Sequence, residues 1–109
     1  MKIFISQSMK NRTIEEIKNE RKTIEYWINC QWPNSEILDS IFSDEKPENV
    51  NQRVYRLGQS IQLLSQADIL VLTGDFRNTD GCLIENLVGE KYDIPRYWLD
   101  VVTGKFHTL

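Results

Sequence analysis

The sequence predicts an α/β domain, with a mostly parallel sheet of four or five strands covered by helices on both faces. Three observations carry that expectation. Asp68 to Thr73 (DILVLT) has strand length and an unbroken apolar centre, as expected of a strand buried on both faces. Helical periodicity appears on both sides of it, over Ile14–Ile28 and Val54–Leu64 before and Gly81–Tyr92 after. The resulting order, β-α-β-α-β-α-β, implies right-handed crossovers and parallel neighbours.

Each element has its own signal. Lys2 to Ser6 (KIFIS) is a short β-prone run ended by Ser6-Gln7-Ser8. Thr13 followed by Glu16 fits a capping box, and Glu15 and Glu16 put negative charge at the positive end of a helix dipole. Ile14, Ile17, Ile24 and Ile28 then recur at helical spacing and are expected to face the sheet, until Pro33-Asn34-Ser35 breaks the pattern. Glu36 to Leu38 reads as a second strand ending at Asp39-Ser40, and Ser43 to Asn51 as a polar loop. A second helix sets Val54, Leu57, Ile61 and Leu64 on one face. After the third strand, Gly74 to Asp80 (GDFRNTD) is a polar turn, with Asp80 a natural N-cap for the third helix. Leu83, Ile84, Leu87 and Val88 are expected to point that helix at the core. Ile94 to Leu99 forms a fourth strand with Pro95 at its start, and a turn at Thr103-Gly104 precedes a possible short final strand.

Composition bounds the function. The 109 residues are 40% hydrophobic and 27% charged, ordinary for one globular domain over residues 1–109. A net charge of −3 argues against a nucleic-acid polymer as partner, because phosphate backbones demand a basic face. Cys30 and Cys82 are too few for a disulfide framework, and His107 is the sole histidine, so neither a metal nor another cofactor is expected. With no apolar stretch of membrane-spanning length and no leader pattern, the reading is a cytoplasmic protein without a membrane partner.

Ligands of open parallel sheets bind at the carboxyl ends of the strands. That rule nominates Ser6, Gln7, Ser8 and Met9 after the first strand, Asp39 and Ser40 after the second, and Gly74, Asp75, Phe76 and Asn78 after the third. Asp80, Gly81 and Cys82 begin the helix that follows. Glu85 is the sharpest candidate: a carboxylate at the edge of an apolar helical arc, with Gly81 and Gly89 four residues to either side. Those glycines clear its stripe for a ligand or for a packed backbone. The same carboxylate on the helix rim, with glycines easing helix contact, is the alternative of equal weight. Asp75, directly after Gly74, pairs with Glu85 as a second carboxylate, suited to acid/base work or to holding ribose hydroxyls. Arg53, Arg56 and Arg77 could meet a phosphate, and Phe76, Tyr97 and Trp98 could stack on a base or pack in the core. Cys82 at a helix N-terminus favours a thiolate but has no local base.

KIFISQSM (Lys2–Met9), LGQSIQLLSQADILVLTGDF (Leu57–Phe76) and DGCLIENLVGEKYDIP (Asp80–Pro95) together resemble the nucleoside 2-deoxyribosyltransferase-like superfamily, especially its small bacterial and phage members. The resemblance implies a flavodoxin/Rossmann-like three-layer sandwich and a homo-oligomer. It places the family's nucleophilic glutamate at Glu85 and an acidic partner at Asp75, cleaving or transferring an N-glycosidic bond of a nucleoside or nucleotide. The chain departs from the transferases in having no tyrosine within Ser6–Met9 and in carrying Cys82 where a hydroxyl residue is common. A non-catalytic alternative uses the same fold to sequester a nucleotide signal, for example an ADP-ribose derivative of an antiphage system, and a vestigial pocket on a scaffold is a third.

Overall fold

The computed structural model describes residues 1–39 and 47–109, and Ser40 lies outside them, as does part of the expected 43–51 loop. In chain order the elements are β1 (Lys2–Gln7), α1 (Ile14–Gln31), β2 (Glu36–Leu38), α2 (Gln52–Leu64), β3 (Ile69–Thr73), a single 3-10 turn (Phe76–Asn78), α3 (Asp80–Lys91), β4 (Arg96–Asp100) and β5 (Lys105–Thr108). The five strands form one sheet in the order β2-β1-β3-β4-β5. All neighbours are parallel except β4 and β5, which are antiparallel. The architecture is α/β and compatible with a three-layer flavodoxin/Rossmann-like sandwich.

Alternation along β1 sorts the two faces. Ile3 and Ile5 pack with Ile24 and Ile28 of α1, whereas Phe4 packs with Leu64 of α2 and Cys82 of α3. β3 divides in the same way, Ile69 and Val71 to one side and Leu70 and Leu72 to the other. Because both faces are covered, every residue of β3 is buried, which is why its sequence is a continuous apolar run.

Helix α1 begins with the reciprocal bonds of a capping box: Thr13 Oγ1 accepts from the Glu16 N–H at 3.1 Å and Glu16 Oε1 accepts from the Thr13 N–H. Its inward stripe is shorter than expected. Ile14 is exposed and Ile17 partly buried, while Arg21 shares the buried stripe with Ile24 and Ile28. Similarly, on α2 Leu64 is fully buried and Val54 is exposed.

The largest departure from expectation concerns α3. Leu83, Ile84 and Leu87 are exposed, and the residues buried toward the sheet are Cys82, Glu85 and Gly89, with Val88 partly buried. A Cβ placed on Gly89 would come within 2.9 Å of Arg96 Cδ and 3.0 Å of Leu70 Cδ2, so α3 lies closely against the sheet there. That close approach turns the Cys82-Glu85-Gly89 stripe inward and the leucines out. Thr79, not Asp80, is the N-cap residue, and it makes no side-chain cap bond; Asp80 is the first helical residue.

Candidate functional site

Strand order reverses between β1 and β3, since the chain leaves β1 toward β2 and then crosses back to β3. Their carboxyl ends therefore form the switch point where ligands bind in sheets of this kind. A cavity of about 690 Å³ opens there, walled by β1, α2 and the start of α3.

Glu85 lines this cavity and is only 7% exposed. Ser6, whose even position in β1 aims it at α3, donates its hydroxyl to Glu85 Oε1 at 2.7 Å. Burial pushes the Glu85 carboxyl from 4.5 up to about 7, with the Ser6 hydrogen bond opposing the rise. Cys82, one turn before Glu85 and in hydrogen-bond contact with Ser6, has its thiol pushed up to about 11, again by burial first. It is a neutral thiol at physiological pH, not the thiolate its helix position favours.

The nominated residues divide among several places. Ser6, Gln7, Met9, Asp80, Gly81, Cys82 and Glu85 share the main cavity. Gln7 sends its amide to the other face, donating to Ile17 O and Glu20 Oε1 at 3.0 Å each. Asp80 accepts from Arg53 at 3.2 Å in a pair whose side chains are largely exposed. Gly81 has open space where a side chain would be, so it does clear the region before Glu85, whereas Gly89 serves packing.

Gly74, Asp75 and Phe76 line a separate cavity of about 320 Å³, beside Arg77, Trp98 and His107. Asp75 is not among the residues lining the Glu85 cavity; its Oδ2 accepts from Asn78 Nδ2 at 2.8 Å. The 3-10 turn that directly follows Asp75 directs this loop toward β4 and β5. Phe76 is 3% exposed and part of the core, and Trp98 Nε1 donates to Gly74 O. Tyr97 packs on the α1 face against Trp32, away from both cavities.

Ser8, Asn78 and Asp39 line neither cavity. Thr79 Oγ1 donates to Asp75 O at 3.0 Å, so the 2.7 Å contact between Ser8 and Thr79 has Ser8 as donor. Lys10 adds a bond to Asn78 O, and these contacts tie the loop after β1 to the start of α3. Asp39 is exposed at the end of β2, where its charge acts on Arg21.

Of the α2 residues at the main cavity, sequence reasoning offered Arg53 and Arg56 as phosphate contacts and missed Val54, Leu57 and Ser60. Val54 and Leu57 were read only as part of one helical face with Ile61 and Leu64, and both line the cavity, with Ser60, Arg53 and Arg56. Among the described residues no group of three or more His, Cys, Asp or Glu is placed to hold a metal ion, and no helix is long and apolar enough to cross a membrane. No family model, curated protein or solved structure matches the chain.

Proposed function

We propose that the chain belongs to the nucleoside 2-deoxyribosyltransferase-like superfamily, binds a nucleoside or nucleotide in the main cavity, and breaks its N-glycosidic bond with Glu85. The observation carrying this reading is a nearly buried carboxyl at the sheet's switch point, held through one oxygen and lining a cavity of about 690 Å³. That volume falls within the roughly 300–1,000 Å³ of small-molecule sites. A mixed wall supports the ligand class: Phe4, Leu57 and Ile84 offer apolar surface for a base, and Ser60 and Arg53 offer polar contacts.

In the proposed step, ionised Glu85 attacks the anomeric carbon, forming a C–O bond as the C–N bond breaks. The electron pair of that bond leaves with the base, which takes up a proton from water. Water, or a second base, then displaces the glutamate and regenerates the carboxylate. A carboxyl with a pKa of about 7 is substantially ionised at neutral pH, and little solvation has to be stripped from it. Within this reading the protein works in the cytoplasm as a homo-oligomer, with Leu87 of α3, exposed and outside the cavity lining, available to a second copy.

Sequestration without chemistry is the second reading, favoured by the separation of Asp75 from the Glu85 cavity. A nucleotide signal of the ADP-ribose type would then be held intact. The test is incubation with nucleosides, deoxynucleotides and ADP-ribose derivatives, followed by chromatography and thermal shift. Base release that vanishes in Glu85→Ala is the expected result. Strong stabilisation with every ligand recovered intact establishes sequestration instead, since binding to the folded state raises apparent stability. No response to any member of the panel would sink both readings.

A further inference from the structure

Ser6 and Glu85 are joined by a bond between strand and helix that spans 79 residues of sequence and is buried. A serine hydroxyl has one hydrogen to give. Here it goes to Glu85 Oε1, and Glu85 Oε2 has no hydrogen-bond partner among the described residues. Ser6 is itself 1% exposed and fixed by the parallel pairing of β1 with β3, in register with Leu72. Cys82 lies against the same hydroxyl, its thiol held protonated chiefly by burial.

We infer that Ser6 is a positioning residue: it holds one oxygen of Glu85 against the sheet and leaves the other as the oxygen that meets a ligand. It does so from the cavity wall, where its one hydrogen is committed to Glu85. The assignment concerns the Glu85 cavity and holds for any ligand. The groups able to influence this carboxyl are few. Cys82 is on its own helix, Asp80, Arg53 and Arg56 line the cavity, and Arg96 of β4 is engaged by Asn86 at 2.7 Å. β1 brings Ser6 and Gln7 and no titratable group to the cavity wall.

A donor bonded to a carboxylate favours its ionised form, and removing it has the opposite effect. The test follows the side-chain carboxyl of Glu85 by NMR across pH in ligand-free protein labelled with 13C-glutamate, with Glu85→Gln identifying the resonance. In Ser6→Ala the midpoint rises above the wild-type value of about 7, and Ser6→Thr, which keeps the hydroxyl, returns it toward that value. Both variants are first checked for a cooperative thermal transition. If Ser6→Ala does not fold, Ser6→Cys, similar in size and a weaker donor, reads the same upward direction. An unchanged or lowered midpoint in a folded variant overturns the assignment. Because no ligand is present, failure of the nucleoside reading leaves this measurement intact, and failure here leaves the ligand panel intact.

Discussion

Asp75 and Glu85, the two carboxylates that motif reading pairs as acid and nucleophile, line different cavities. If the main cavity is the functional one, their substitutions must separate. Glu85→Gln is expected to reduce base release to the level of a protein-free blank. Asp75→Asn is expected to change it by no more than about two- to threefold, the scale of an ordinary surface substitution. Parallel rate measurements on the two variants check this, and equal losses would show that the loop after β3 reaches the reacting ligand.

Glu85 also gives stability a pH dependence. Its carboxyl titrates at about 7 in the fold against 4.5 as the ordinary value. Between those limits the folded protein retains a proton that the unfolded chain releases, so stability falls as pH rises from about 4.5 through about 7 and levels off above. The expected loss is at most a few kcal/mol. Glu85→Gln lacks this dependence, so the stability difference between variant and wild type, from urea unfolding at pH 5, 6, 7 and 8, should grow in favour of the variant. A difference that is flat across the series would contradict a buried, near-neutral carboxyl.

Two helical glycines should respond oppositely to alanine. At Gly58 in α2 nothing lies within 4 Å of an added Cβ, and Gly58→Ala should stabilise by about 0.5–1 kcal/mol through helix propensity. At Gly89 the added methyl meets Arg96 Cδ and Leu70 Cδ2, and overpacking of about 1–3 kcal/mol outweighs the same gain. Gly89→Ala should therefore lower the denaturation midpoint. A stabilised Gly89→Ala would mean that α3 sits further from the sheet than described.

The outward strip of α3 carries the oligomer proposal. Leu87 is 49% exposed and lies outside the cavity lining, so Leu87→Glu tests association without altering the site. Sedimentation should show a wild-type dimer or larger species and a monomeric variant. A wild type that is monomeric at every concentration tested would remove the homo-oligomer from the proposal.

Much of the architecture was legible because its signals are local. The DILVLT run fixes β3, Thr13 and Glu16 fix the start of α1, and Glu36–Leu38 coincides with β2. Of the candidate site, the convergence of Ser6, Cys82 and Glu85 on one cavity was legible from the strand-end rule. What failed was orientation. Periodicity ranks Leu83, Ile84 and Leu87 as the inward face of α3, but the face that meets the sheet is chosen by how closely Gly89 lets the helix approach. Asp75 was misplaced for a related reason: sequence adjacency to β3 says nothing of which side of β3 a 3-10 turn will send the loop.

The inverted face of α3 has a mechanical consequence. A helix usually stays on its sheet through buried leucines, whereas α3 sets a cysteine, a carboxyl and a glycine there. The stripe that carries Glu85 thus adds little apolar area of its own, and the amides of α3 should exchange with solvent deuterium sooner than those of β1 and β3, which are buried almost throughout. Glu85 would then sit on an element that opens before the central strands do, and any occupant bridging α3 to β1 would slow that exchange.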